Sequence, residues 1–281
     1  MKLSIFYDHL LEAAKQRSLP VEAVFAEARA LGIGWVEINL STLLADREGV
    51  MALLEKTGLG ISCIYAMHDW ANDPDYASGR TQVEMARACG ARAIMLVPGQ
   101  LSPEEAEDIW RHSGSYKEFS ARLAQSEGVA RMVQGVRETV ALAGDLPVCM
   151  EDFDQRTAVY AGMLGLRYFL EQVPGLGLAF DCGNFAYMDE DALRAWAMIG
   201  SRTIHVHCKD RGEEPAVLAK GLRFNRGLAA VATGSGYLPL ETVIRQLQYR
   251  GYEGVYAIEH FGAKDQLQAM RDSVKFMKSV E

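Results

Sequence analysis

The chain contains four short apolar segments that each end in a residue able to bind a metal: Pro147-Val-Cys-Met-Glu151, Gly177-Leu-Ala-Phe-Asp181, Thr203-Ile-His-Val-His207 and Val255-Tyr-Ala-Ile-Glu259. Each segment has the length and composition of a buried β-strand. Buried strands rarely end in charged residues unless those residues are paired or bind a metal. One such ending carries little information, but four of them indicate a site at the carboxyl ends of four strands.

The rest of the chain predicts the fold that would bring these ends together. Candidate strands begin near residues 2, 34, 60, 92, 147, 177, 202 and 254. Helical periodicity occupies the segments between them: 20–31, 44–57, 75–89, 119–143, 156–171, 189–199, 239–250 and 264–279. Alternating strands and helices predict a parallel sheet with helical crossovers.

Length and element count favour an α/β fold of one particular kind, a closed (β/α)8 TIM barrel. No Gly-x-Gly-x-x-Gly motif follows the first strand, so the main reason to prefer an open dinucleotide-binding sheet is missing. No linker or low-complexity tract interrupts the chain, which predicts a single domain over residues 1–281.

The composition argues against several classes of protein. A net charge of −8 and a pI near 5.4 argue against a general nucleic-acid binder, which needs clustered Lys and Arg. No segment approaches the roughly 20 apolar residues that span a bilayer, and the apolar run at the N-terminus is too short for a signal peptide. Five scattered cysteines are typical of reduced thiols, so we expect a cytoplasmic protein.

The four strand-end residues have the chemistry of a catalytic metal site. Two Glu, one Asp and one His form a mixed oxygen and nitrogen shell that suits Mn²⁺, Mg²⁺, Co²⁺ or Zn²⁺. The absence of a thiolate argues against a structural zinc. The alternative is that each acid forms a salt bridge with an Arg or Lys, but four such residues in register favour a site.

These motifs resemble the xylose isomerase-like barrel superfamily, and within it the sugar phosphate isomerase/epimerase group of ketose 3-epimerases and inosose dehydratases. The resemblance is carried by Glu151, Asp181-Cys-Gly-Asn184, His207-Cys-Lys-Asp210, Gly234-Ser-Gly236 and Glu259. It implies one divalent metal ion, bound by Glu151, Asp181, His207 and Glu259. It also implies that Glu151 and Glu259 act as opposed acid and base on a substrate carbon, through an enediolate.

Two departures from the pattern narrow the function. Many relatives have His three residues after the Asp of the sixth strand, where this chain has Asn184. The endonuclease branch has a His before the Pro-Gly of the fourth strand and an Asp-x-His after the seventh. Here the first is Val97-Pro98-Gly99 and the second is missing from 209–238, so DNA repair is not expected.

Six further residues are expected to bind substrate: Glu37, His68, Trp70, Asn184, Lys209 and Asp210. All of them except Asn184 have a structural alternative. Glu37 would brace the barrel through an Arg, His68 would cap a loop, and Trp70 would pack under a lid, as would the aromatic residues Phe185 and Phe261. Lys209 and Asp210 would form a solvated ion pair.

Three other predictions concern residues around the site. His205 is expected one layer below the metal, either with a hydrogen bond to Glu151 or Asp181 or as a core histidine whose hydrogen bonds are satisfied elsewhere. His260 should point outward to the helices. The sequence leaves open whether the substrate is phosphorylated; if it is, Arg223 and Arg226, in the long segment after the seventh strand, are the candidates to clamp the phosphate.

The sequence therefore predicts a metal-dependent isomerase or epimerase of a small ketose or related polyol ketone. One alternative is an inosose-type dehydratase, which would abstract the same proton and expel a β-hydroxyl, with Lys209 or His68 as the acid. Another is a non-catalytic sugar-binding barrel, against which the presence of both Glu151 and Glu259 argues. The expected partner is a small sugar or polyol, with no nucleic acid and no membrane, and a homo-oligomer is compatible with the sequence.

Overall fold

Eight parallel strands close into a barrel in the structure, a computed structural model that describes residues 1–111, 114–213 and 227–281. Neighbouring strands pair in chain order from β1 to β7, and the last barrel strand pairs with both β7 and β1, which closes the ring. The barrel strands are β1 (Lys2–Phe6), β2 (Ile33–Asn39), β3 (Gly60–Met67), β4 (Ile94–Val97), β5 (Val148–Glu151), β6 (Gly177–Asp181), β7 (Thr203–Gly212) and β9 (Val255–Glu259). The predicted (β/α)8 barrel is confirmed.

Helices surround the barrel. In the described part of the chain they are α1 (Tyr7–Arg17), α2 (Val21–Ala30), α3 (Leu40–Thr57), α4 (Ala77–Cys89), α5 (Pro103–Arg111), α6 (Tyr116–Gln125), α7 (Glu127–Ala143), α8 (Met163–Gln172), α9 (Ala192–Ile199), α10 (Leu240–Tyr249) and α11 (Gln266–Ser279). None of these helices combines the length and the apolar character that a bilayer crossing requires.

The helical predictions need correction at four places. Helices α1 and α5 were not predicted, and the segment 119–143 is two helices rather than one. Ser126 separates them, because its extended backbone ends α6 while its side chain accepts a hydrogen bond from the backbone N–H of Val129 and begins α7. Helix α8 begins at Met163, later than the predicted residue 156.

Residues on both sides of the segment after the seventh barrel strand pair with each other. Strand β7 continues past the barrel rim to Gly212, and its outer part pairs antiparallel with β8 (Ala229–Val231). This strand was predicted as loop. Arg223 and Arg226, the predicted phosphate clamp, lie outside the described residues.

Small side chains fill one layer of the barrel beneath the strand ends. Cys63, Met95, Cys149 and Ala179 are buried together in a cluster separate from the main core. Cys149 and Ala179 each stand two residues before a predicted metal ligand, so strand alternation points them in the same direction as Glu151 and Asp181. Their small volume leaves the layer above for the polar side chains.

Candidate metal centre

The four predicted ligands converge at the carboxyl ends of β5, β6, β7 and β9. One ligand atom from each of Glu151, Asp181, His207 and Glu259 lies within 4.8 Å of the others. All four residues are buried, Glu151 being the most exposed at 8%. The Nδ1 atom of His207 lies 2.9 Å from Oε2 of Glu151, 3.2 Å from Oε2 of Glu259 and 3.9 Å from Oδ2 of Asp181.

Two oxygens of this cluster accept no hydrogen bond of ordinary geometry among the described residues, although the Lys209 ammonium lies 3.0 Å from one and Nδ1 of His207 lies 3.2 Å from the other. They are Oδ2 of Asp181 and Oε2 of Glu259, and both are buried. The other oxygen of Asp181 accepts hydrogen bonds from the backbone N–H groups of Gly183 and Asn184, at 2.6 and 3.1 Å, which fixes the carboxylate. Leaving a buried acceptor without a hydrogen bond is costly. Three carboxylates and one imidazole nitrogen, two of the oxygens without hydrogen bonds of ordinary geometry, fit a divalent cation.

The two glutamates of the cluster have opposite electrostatic surroundings. Burial, together with the charges of Glu259 and Asp181, raises the pKa of Glu151 to about 7 despite the hydrogen bond from His207. Burial alone would also raise the pKa of Glu259, but the Lys209 ammonium and His207 hold it well below its usual range. Paired carboxyl groups whose surroundings separate their pKa values are typical of acid/base sites.

Lys209 enters the centre from the mouth side of β7. Its ammonium lies 3.0 Å from Oδ2 of Asp181, contacts Oε1 of Glu259 and donates a hydrogen bond to Oδ1 of Asn184 at 2.9 Å. The ammonium is within ion-pair distance of Oδ2 of Asp181, but the two groups do not have the geometry of a hydrogen bond. Lys209 is 7% exposed, so the predicted solvated ion pair with Asp210 is wrong.

Glu37 lies beneath the centre instead of in the substrate pocket. Its side chain is fully buried. Oε2 is 2.8 Å from Nε2 of His205, and both carboxylate oxygens are 3.2 Å from Nε2 of His207. Burial would raise the pKa of Glu37, but the two imidazoles lower it to about 2. His205 therefore contacts Glu37, not the predicted Glu151 or Asp181, and the predicted Arg brace of Glu37 is replaced by histidines.

His68 and Trp70 face α4 and do not reach the pocket mouth. The two rings stack with centroids 4.0 Å apart. Both nitrogens of His68 are engaged, Nδ1 with the Ser78 hydroxyl at 2.9 Å and Nε2 with the Gln82 amide oxygen at 3.0 Å. Trp70 is 1% exposed and donates to the same hydroxyl. Substrate contact by these two residues is therefore not supported, because α4 occupies their polar atoms.

Asp210 organises the turn after β8. Its carboxylate accepts hydrogen bonds from the backbone N–H groups of Arg211, Gly234, Gly236 and Leu238, at 2.8 to 3.2 Å. With its oxygens saturated by backbone donors, Asp210 is a structural residue and the predicted substrate contact is not supported.

Asn184 is tied to both neighbouring strands. Its amide nitrogen donates to the backbone carbonyl of Asp152 at 3.0 Å, and its oxygen accepts from Lys209 and, at 3.3 Å, from Arg211. Phe185, predicted at the mouth, is fully buried against Phe180. Phe261 is 42% exposed at the strand ends.

His260 is buried and engages Gln266 at the start of α11, as its predicted outward direction requires. It also stacks on His9, with ring centroids 4.3 Å apart.

Two features of the site were not predicted. Asp152 is fully buried beside the ligands: one oxygen is 3.3 Å from the backbone nitrogen of Asp181, and the other has no donor among the described residues. Its signal was in the sequence, as a second acid directly after Glu151. Tyr65 donates to Asp8 at 3.0 Å, next to Phe6, whose ring meets His207 edge-on at 5.2 Å. Tyr65 lies two residues after Cys63 on β3, so alternation alone would have pointed it inward.

The fold is shared with several solved structures, among them a sugar epimerase. D-psicose 3-epimerase from Clostridium cellulolyticum H10, solved with D-tagatose, is 15% identical with a TM-score of 0.68, over 100% of this chain and 99% of that chain. A probable 3-DHS dehydratase from Bacillus anthracis is 13% identical with a TM-score of 0.68, over 99% of each chain. A xylose isomerase-like TIM barrel protein from Mycobacterium smegmatis, in complex with magnesium, is 17% identical with a TM-score of 0.65, over 92% of this chain and 87% of that chain.

Sequence comparison gives the family. No curated protein sequence matches the chain significantly. A family model described as xylose isomerase-like TIM barrel matches residues 25–280, nearly the whole chain. The chain therefore belongs to the xylose isomerase-like TIM barrel family.

Proposed function

We propose that the protein is a divalent-metal-dependent sugar isomerase or epimerase that acts on a small ketose or a related polyol ketone. The observation that carries this proposal is the buried cluster of Glu151, Asp181, His207 and Glu259, with two oxygens that accept no hydrogen bond of ordinary geometry in the described structure. The shared fold with a D-psicose 3-epimerase and with a magnesium-bound relative supports it.

The two glutamates would transfer the proton. Glu151 ends β5 and Glu259 ends β9, and two other strands of the ring, β6 and β7, lie between them. Both carboxylates contact Nδ1 of His207, at 2.9 and 3.2 Å, and a substrate carbon held between them would present one face to each. One carboxylate removes the proton next to the carbonyl, and the other returns a proton to the opposite face, which inverts the centre. When bound, the metal supplies a Lewis acid that polarises the substrate carbonyl.

The remaining residues would orient these groups. The backbone N–H groups of Gly183 and Asn184 fix Asp181, and Glu37 fixes His207 from below. The low exposure of the cluster excludes most water and strengthens the electrostatic interactions within it.

A dehydratase is the second candidate. The fold is shared with a probable 3-DHS dehydratase, and the Lys209 ammonium lies at the centre where an acid for a leaving hydroxyl is needed. His68, the other acid considered for this role, has both ring nitrogens engaged. Lys209 is therefore the candidate acid of this alternative.

An exchange experiment in D₂O tests both functions. The protein loaded with Mn²⁺ is incubated with a panel of ketoses and inososes, and the products are followed by NMR and ultraviolet absorbance. Deuterium at an inverted carbon is expected for the epimerase. An absorbing enone product would instead support the dehydratase, and neither product from any substrate would contradict both functions.

A further inference from the structure

We propose that Lys209 is an internal counter-cation that competes with the divalent metal for Asp181 and Glu259 and thereby sets the metal affinity of the centre. This inference rests on the proposed metal site. It concerns Lys209 itself and predicts a measurable effect on binding that is independent of turnover.

The competition follows from the atoms involved. One oxygen of Asp181 is taken by two backbone N–H groups, so Oδ2 is the oxygen left for a cation. That same oxygen lies 3.0 Å from Nζ of Lys209, and the ammonium also contacts Glu259. At Asp181 the metal and the ammonium would need the same oxygen, and at Glu259 they would need the two oxygens of one carboxylate. Two cations this close repel each other strongly in a buried site. Metal binding therefore has to displace the ammonium from at least one carboxylate.

The chain is shaped to place the ammonium there. Lys209 stands two residues after His207 on β7, so both side chains point to the same side of the strand. Its aliphatic stem passes over Gly183, where an added Cβ would lie 2.5 Å from Cγ and 2.7 Å from Cδ of Lys209. The side-chain oxygen of the neighbouring Asn184 accepts a hydrogen bond from the ammonium at 2.9 Å. Gly183 and Asn184 thus form a seat for Lys209, and the seat explains both residues of the Asp181-Cys-Gly-Asn184 motif.

Asn184 provides a neutral hydrogen-bond acceptor for the Lys209 ammonium. The Asn184 oxygen is uncharged, so the metal does not compete for it. It therefore keeps its hydrogen bond to the ammonium when the carboxylates bind the metal. The Lys209 ammonium neutralises part of the charge of Asp181 and Glu259, which limits the mutual repulsion of the buried carboxylates without a metal.

Metal titration of Lys209→Met tests the proposal. Mn²⁺ is titrated by calorimetry into chelator-treated wild type, Lys209→Met and the control Lys275→Met, which removes the same charge from an exposed position on α11. We expect Lys209→Met to bind Mn²⁺ at least about tenfold more tightly, and Lys275→Met to bind like wild type. Equal or weaker binding by Lys209→Met overturns the proposal while the metal site stands. No binding by any of the three proteins overturns the proposed function and this inference together.

A second variant moves the ammonium without changing the charge. Gly183 has φ −105° and ψ −20°, which alanine adopts readily. Gly183→Ala should therefore displace the Lys209 stem and also tighten Mn²⁺ binding. Binding that is unchanged or weaker in a folded Gly183→Ala protein contradicts the seat.

Labelling of the wild type covers the case in which a variant does not fold. The protein is treated with acetic anhydride with and without Mn²⁺, and acetylation is located by mass spectrometry. Lys209 should be acetylated faster in the Mn²⁺-loaded protein, and Lys275 should not change. Equal acetylation of Lys209 in both states overturns the proposal.

Discussion

Glu37 and His207 form a buried pair that fixes which nitrogen of His207 faces the other ligands. Both oxygens of Glu37 lie 3.2 Å from Nε2 of His207, while Nδ1 faces Glu151 and Glu259. The Glu37 carboxylate accepts a hydrogen bond from Nε2–H, so a bound cation would take the place of the proton on Nδ1, which otherwise hydrogen-bonds Glu151. Carboxylate–histidine–metal chains of this kind are common in metal sites.

Replacing Glu37 should therefore weaken metal binding, although Glu37 is not one of the proposed metal ligands. Glu37→Gln keeps one acceptor oxygen for His207, whereas Glu37→Leu keeps none. We expect Mn²⁺ affinity to fall by about tenfold in the first and towards about 100-fold in the second. Calorimetric titration gives the affinities, and the ¹⁵N shifts of the histidines report the tautomer of His207. An affinity that falls with no change of tautomer would point to a general loss of packing.

Glu151 and Glu259 should each be needed for turnover. Glu151→Gln and Glu259→Gln keep an oxygen that can contact the metal but remove the proton-transferring group. Loss of one general acid or base costs roughly 10²- to 10⁴-fold in rate. We expect kcat to fall by at least that much on the substrate found by the D₂O exchange panel, with the circular dichroism spectrum unchanged. Full activity in both variants would show that the proton is moved by other groups.

Asp210 should matter for the stability of the β7–β8 hairpin rather than for substrate binding. Asp210→Ala removes the acceptor of four backbone N–H groups and leaves several of them without a partner. We expect a loss of roughly 2–4 kcal/mol in the free energy of unfolding, measured by denaturant titration. KM at a temperature where the variant is folded should change little. A large rise in KM with unchanged stability would restore the substrate role predicted from the sequence.

The strands and the convergence of the four strand-end residues could be predicted because each was encoded locally. A buried parallel strand is an apolar run, and an acid or His at its end stands out against that run, as Asp181 and His207 do. Helix α1 was missed because it follows β1 without a turn residue, and its N-cap, Phe6, makes no side-chain capping bond. Strand β8 was missed because three residues paired with a strand extension carry no periodic pattern.

The partners of the polar residues could not be predicted because they depend on contacts across the barrel. His205 and Glu37 are 168 positions apart in the sequence, and nothing local to either residue indicates the other. The same holds for Lys209, which alternation places near the ligands but whose pairing with Asp181 depends on the space above Gly183. His68 and Trp70 were placed correctly after β3, but the direction of their side chains is set by their packing on α4.

Glu190 should make the stability of the protein depend on pH. The dependence is expected between the pKa of its carboxyl group in the unfolded state and the pKa in the folded state. It lies before α9, and one of its oxygens accepts the backbone N–H of Met163 at the start of α8, at 2.7 Å. Burial raises its pKa from 4.5 to about 7, although the hydrogen bond from Met163 opposes the shift. The folded state therefore binds this proton more tightly than the unfolded state. The stabilisation is complete below pH 4.5 and is lost as pH rises to about 7.

Glu190→Gln isolates this contribution, because the amide keeps an oxygen for the Met163 N–H but has no proton to lose. From pH 4.5 to 7 the wild type should lose up to about 3 kcal/mol of unfolding free energy relative to the variant. Denaturant titrations of both proteins across this range measure the difference. Glu84→Gln, which removes an exposed carboxyl group on α4, controls for the lost charge. For the control, the difference in unfolding free energy from wild type should not change with pH. If the same is found for Glu190→Gln, burial does not shift the pKa of the Glu190 carboxyl group.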